Sequence, residues 1–163
     1  MKKLFEYNWQ VRNEWFDWCE TVDEQELLKR RTGGPGSILY TLFHIAECEF
    51  AWINSLQGNP DQGEPPFEDY ASLRKVKAFS EQCHATVAPF VQAWNDGMEH
   101  LVLTGEGPPG QRESFAYGEV MRHVIAHEIH HVGQLSVWSR ELGKQPVTAN
   151  LIRRGLYKTQ EAN

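Results

Sequence analysis

Clusters of glycine and proline cut this chain into four long segments, and that punctuation constrains its fold more than any other feature. Arg31-Thr32-Gly33-Gly34-Pro35-Gly36, Gly58-Asn59-Pro60, the stretch from Gly105 to Gly110, and Gly143 followed by Pro146 are all strong breakers. The first segment, residues 4–22, holds no Gly or Pro and carries Leu4, Phe5, Trp9, Trp15, Phe16 and Trp18. The second, residues 37–57, opens on Ser37 as an N-cap and stops at Gly58. A loop rich in Gly, Pro and acid runs on to about residue 69. The third segment starts at Ala71 or Ser72 and ends at Asn95, with Pro89 expected to kink or split it. Residues 101–114 read as a loop with room for a short hairpin. The fourth segment runs from Tyr117 to Leu142, and residues 147–163 are expected to add one short helix and then fray. Four long helices predict an all-α helical bundle filling a single domain, residues 1–163.

Composition closes off several classes. The chain is 40% hydrophobic with six Trp, enough for a core and too apolar for disorder. Its net charge is −6 with His neutral and it has no long basic run, so no nucleic-acid partner is expected. No stretch approaches the ~18 apolar residues of a membrane span. Met1-Lys2-Lys3 has the charge of a signal-peptide start, but Glu6, Asn8 and Gln10 interrupt the apolar run that must follow. Cys19, Cys48 and Cys83 are odd in number and widely spaced, which suits reduced thiols and a cytoplasmic location.

The second helical segment is informative for what it lacks. Between Ser37 and Gln57 the only charges are Glu47 and Glu49. Leu39, Leu42, Ala46, Phe50 and Ile53 gather on one face at helical spacing. The opposite strip holds Tyr40, Thr41, His44, Glu47, Cys48 and Ala51. A solvated strip is the plainer reading, but solvated strips are rich in Lys, Arg and Glu. Uncharged polar groups on a charge-poor helix suggest a cleft or a subunit contact.

The fourth segment carries the sharper signal. His123, His127, His130 and His131 are four of the chain's seven histidines, all within nine residues. His127 and His131 are four apart and stack on one helix face, a spacing that lets two imidazoles hold one ion. His123 continues the row and His130 sits at its edge. Val120, Val124 and Trp138 share that face, and an apolar setting favours the neutral, metal-binding imidazole. A pair supplies two ligands only. His44 and His84 are candidates for the third, with His100 the weaker one because it lies near a loop.

Two rival metal motifs fit less well. His127-Glu128-Ile129-His130-His131 matches H-E-x-x-H, in which Glu128 would serve as general base of a zinc protease. The extended form needs Gly and then His downstream, where this chain has Gln134 and Val137. The other form needs a downstream Glu ligand, and Glu141 and Glu161 are poorly placed for it. Otherwise Glu128 reads as a surface charge. A di-iron bundle needs paired Glu-x-x-His motifs, and His44-x-x-Glu47 is the reverse order with no second copy.

Leu42-Phe43-His44-Ile45-Ala46-Glu47 resembles the L-x-H-x-A-E segment of the DinB/YfiT-like superfamily, and the run from His127 to Gln134 resembles its H-x-x-x-H-x-G-Q segment. Leu142-Gly143-Lys144-Gln145-Pro146 resembles its L-G-x-x-P exit. The order of segments agrees over nearly the whole chain. Relatives commonly carry Arg before the Gly of the second motif; Val132 stands there in this chain, so an anion-binding role for that position does not carry over. The resemblance implies an up-down-down-up four-helix bundle, often dimeric, with one divalent ion, zinc or nickel, held by His44, His127 and His131. It also implies a small-molecule substrate and a low-molecular-weight thiol, as in thiol-dependent transferases and isomerases.

The expected function is therefore a metal-dependent enzyme of thiol-transferase or hydrolase type. The alternative is a non-catalytic metal-binding or stress-response bundle. Glu47, one turn from His44, is the candidate base or a partner of a ligand, and Tyr40 and Gln134 are candidate substrate contacts. Charge-poor faces on the second and fourth helices predict a homodimer.

Overall fold

A computed structural model describes residues 1–60, 63–106 and 111–157 of the chain. Its elements follow the punctuation. Helix α1 spans Lys2–Cys19, α2 Glu24–Leu28, α3 Ile38–Leu56, α4 Leu73–Ala93 and α5 Tyr117–Glu141, and strands β1, Val102–Glu106, and β2, Arg112–Ala116, lie between α4 and α5. Ser37 caps α3 by accepting from the Tyr40 amide, and Ser72 caps α4 by accepting from the Lys75 amide. Gly143, at φ +68°, ends α5 in the left-handed region that glycine enters without strain.

Several details depart from the sequence expectation. Helix α2 is an addition: Asp23 accepts from the Gln25 amide, acids fill the first turn, and Leu27 is buried. Pro89 does not split α4. The bond it removes belongs to the Ala85 carbonyl, and both residues are exposed, on the solvent side of the helix where such a loss costs least. The short hairpin exists, with Val102 opposite Ala116 and Thr104 opposite Ser114, and β2 runs directly into α5. The chain is thus mostly helical with a small two-stranded sheet.

No helix follows α5 among the described residues. Pro146, Arg153 at φ 69° and Gly155 at φ 69° deny it one, and the segment instead straps α1. Tyr7 Oη donates to the Ala149 carbonyl at 2.7 Å, Trp18 Nε1 donates to Gln145, and Arg154 pairs with Glu14. Residues 107–110 and the tail from 158 on, Glu161 included, lie outside the described residues.

The long helices pack α3 against α4 and α5, and α1 against α4 and α5. Along α3, Phe43 stacks on Phe79 of α4, while Ile53 and Leu56 share a cluster with Val87 and Val91, so the two sequences advance together. The connecting residues 57–72 permit this. A helix of 19 residues is ~28 Å long, and sixteen extended residues reach ~50 Å. Asn8 and Arg12 of α1 meet Ile125 and Glu128 of α5, again advancing together. By contrast Lys77, His84 and Gln92 of α4 meet Glu20, Trp9 and Lys2 in reverse order. His44 and Trp52 of α3 likewise meet His131 and His123 in reverse.

Between α1, α3 and α5 lies a buried ionic group. Arg12 donates through Nε and Nη2 to the two oxygens of Glu128 at 2.8 and 2.6 Å. Its Nη1 is 2.7 Å from Glu49 Oε2, an ion-pair contact without hydrogen-bond geometry, while Trp9 Nε1 donates to Glu49 Oε1. Glu128 is 1% exposed, so the reading of it as a surface charge is corrected. Desolvation works against the Arg12 charge, but Glu128 and Glu49 more than offset it and hold the guanidinium protonated.

Candidate metal centre

Helices α3 and α5 bring His44, His127 and His131 together. The register that does this follows from burial: Leu39, Leu42 and Ala46 of α3, with Val124, Glu128 and Leu135 of α5, turn inward and leave His44 and His127 half-buried beside the buried His131. His127 Nε2 lies 3.1 Å from His44 Nε2 and 3.1 Å from His131 Nε2, and no two of the three ligand atoms are more than 4.8 Å apart. Two imidazole nitrogens on one tetrahedral ion at ~2.05 Å stand ~3.3 Å apart. The two close contacts come within a few tenths of an ångström of that, so the group could take one ion with a small shift of the rings.

Hydrogen bonding among the rings explains it less well. His131 Nδ1 is 2.7 Å from Gln134 Oε1, so its one N–H faces the amide and its Nε2 is a bare lone pair. Gln134 Nε2 contacts His130 Nε2 at 3.0 Å, which fixes the amide orientation. His127 Nε2 takes part in both close contacts. A single proton there cannot serve two partners well, whereas one cation serves all three lone pairs.

The electrostatics agree. Burial, then His131, lowers the His44 pKa, opposed by Glu64. Burial lowers His131 as well, against the bond to Gln134. His127 falls to about 4, through burial and then the charges of His131, His44, His123 and His130. All three are neutral at pH 7, the form that binds metal.

The sequence left the third ligand open between helices, and the fold brings His44 alone of the candidates to the pair. His84 packs edge-on against Trp9 between α1 and α4, and His100 is exposed after α4. His123 contacts the Trp52 ring and His130 the Gln134 amide, both at the exposed margin. Glu128 faces the other way, bound at both oxygens by Arg12, which removes the base that a zinc protease would need. Val132 is buried in the core.

Two residues that the sequence did not single out for a role lie at the site, one of them on the strip read as a cleft or a subunit contact. Cys48 Sγ lies 3.5 Å from His44 Nδ1 and 3.7 Å from its Nε2. Burial, and then Glu47 through charge and a hydrogen bond, push this thiol up to about 12. Gly34, at φ +55°, lays its loop on Gln134; a Cβ there would run into Gln134 Oε1 and the Trp138 ring. Trp138 Nε1 donates to the Thr32 carbonyl, tying that loop to α5. The i, i+3 and i, i+4 spacings of Gln134 and Cys48 were readable signals; the approach of Gly34 was not.

Cavities flank α3. One, about 380 Å³, is lined by Glu47, Asn54, Gln82, Cys83 and Thr86 with Phe50 and Phe79. Another, about 570 Å³, lies by Tyr40, Arg30 and Glu64. Tyr40 packs at a tilt against Phe67, and burial, then the charge and hydrogen bond of Glu64, raise its phenol pKa.

Residues 1–160 match the DinB family. The chain belongs to the DinB family. The uncharacterized protein YizA of Bacillus subtilis (strain 168) is similar to it, 45% identical over 156 residues that cover 96% of each chain. This DinB-family chain therefore has a three-histidine group able to hold a metal ion, carried on helices joined by a buried Arg12. No helix among the described residues is long and apolar enough to cross a membrane.

Proposed function

We propose that this chain is a cytoplasmic, divalent-metal enzyme of thiol-dependent transferase or hydrolase type, folded as one up-down-down-up four-helix bundle. The observation that carries the reading is the convergence of three imidazole Nε2 atoms at 3.1 Å contacts, with the His131 proton turned away onto Gln134. Three neutral nitrogen donors suit zinc or nickel. When bound, such an ion supplies Lewis acidity that lowers the pKa of a thiol or water reaching it. The helix order is supported by the contacts above, in which α1 and α5 run one way and α3 and α4 the other.

The protein's own groups would do the remaining work. Glu47, on α3 three residues from His44, lines the 380 Å³ cavity and is the group proposed to take or give the proton. Tyr40, whose phenol stays protonated, would donate a hydrogen bond to a small substrate. Gln134 would orient His131 through its Oε1 and meet a substrate that lies against that ring. A second copy would cover the outer face of α5, where Ala126, Ile129, Gly133 and Val137 are exposed and uncharged between Arg122 and Arg140.

The test is a cobalt-substituted protein titrated with small thiols. A new sulfur-to-metal absorption supports the thiol version, and Glu47→Gln should keep the metal while slowing turnover. A spectrum blind to every thiol tried would leave only hydrolysis.

A further inference from the structure

His44 presents two ring nitrogens, and the three-histidine group uses one. Its Nε2 faces His127, whereas its Nδ1 stands 3.5 Å from Cys48 Sγ. The same sulfur stands 3.7 Å from Nε2 and so lies over the ring face; the His44 ring must turn its Nδ1 lone pair toward Sγ for the two to share an ion at ~2.05 Å from nitrogen and ~2.3 Å from sulfur. Glu47 completes the set: one carboxylate oxygen, Cys48 Sγ and a His44 ring nitrogen all lie within 4.8 Å of one another. The spacing 44, 47, 48 is i, i+3, i+4 on α3, so one helix turn builds the group without help from a neighbour. Both Cys48 and His44 are half-buried, so an ion can reach them from solvent.

The geometry points to a second cation position made by His44, Glu47 and Cys48, which takes a thiophilic divalent ion such as cadmium or zinc and shares His44 with the three-histidine centre. Imidazole, thiolate and carboxylate are a borderline-soft donor set that hard cations such as magnesium do not favour. Binding forms bonds from the ion to His44 Nδ1, Cys48 Sγ and a Glu47 oxygen, and the thiol proton leaves to solvent. A neutral imidazole that gives its Nδ1 lone pair keeps its proton on Nε2, which then cannot serve the other centre. The two positions are therefore alternatives for a single ion. The donor softness decides between them, with sulfur drawing cadmium toward Cys48 and the all-nitrogen set retaining nickel. The inference stands whether or not the three-histidine centre is catalytic.

The experiment uses the full chain with cadmium alone as probe. In the double variant His127→Ala, His131→Ala, the three-histidine centre is removed and His44, Glu47 and Cys48 remain. One equivalent of cadmium should still bind and produce sulfur-to-cadmium ultraviolet absorption. Adding Cys48→Ser should abolish that absorption and weaken cadmium binding more than about tenfold. In the otherwise unaltered chain, Cys48→Ser should weaken cadmium relative to nickel, which covers the case of a double variant that does not fold. No cadmium absorption in any Cys48-containing protein overturns the proposal. So does absorption that survives Cys48→Ser, since the sulfur would then be Cys19 or Cys83. Two equivalents bound at once by the unaltered chain overturn the sharing of His44.

Discussion

Nδ1 of His131 lies 2.7 Å from Oε1 of Gln134, one helical turn further along α5. That contact selects the tautomer whose Nε2 is a bare lone pair, so the amide would act through the ring on an ion held there. Gln134→Ala should leave the fold intact and weaken metal binding by roughly tenfold to a hundredfold. Competition against a chelator of known affinity reads this directly. Unchanged affinity would mean that His131 finds the right tautomer without help.

The lowered pKa of His127 has a sign that can be checked. An unfolded histidine takes its proton at about 6.5, while folded His127 resists until about 4. Between those values the unfolded chain holds the extra proton, so the metal-free protein loses stability as pH falls through that window. Thermal unfolding of chelator-treated protein at pH 7 and pH 5 should show the drop. In His127→Ala the drop should shrink. An equal drop in both would place the titrating group elsewhere.

Arg12 should matter to stability more than any surface ion pair. Removing it leaves Glu49 and Glu128 buried against each other, which costs roughly 3–5 kcal/mol. Lys3 and Glu6 pair in the open, and Lys3→Ala should cost under about 1 kcal/mol. Urea unfolding of Arg12→Ala and Lys3→Ala separates the two cases. A small loss in Arg12→Ala would mean that one carboxylate accepts a proton at little cost.

What could be read from the sequence was local. Breakers at Gly33–Gly36 and Gly58–Pro60 marked α3, and the i, i+4 spacing of His127 and His131 marked two of the three histidines. Helix α2 also has a local signal, Asp23 as N-cap before Glu24 and Glu26, but five residues are too few to show a helical period. What could not be read was pairing across the fold. His44 lies 83 residues from His127, and Arg12 lies 116 from Glu128. An acid next to a metal histidine looks like a surface charge or a base until its buried partner is seen. Only packing puts a guanidinium on one side of α5 and the imidazoles on another.

The outer face of α5 gives a test of assembly. Ile129 is 43% and Val137 56% exposed on a strip without charge. A homodimer through this face predicts twice the chain mass in sedimentation at micromolar concentration. Val137→Glu should shift it to monomer without loss of helicity. A monomeric unaltered protein would refute the interface and leave the metal site untouched.

The central claim is that three histidines hold one ion. Elemental analysis of protein purified without chelator, or reloaded with zinc or nickel, should find about one divalent ion per chain. His44→Ala, His127→Ala and His131→Ala should each lose most of it, while His84→Ala and His100→Ala should keep it. Metal content near zero after reloading, or a site emptied by His84→Ala and not by His44→Ala, would contradict the account.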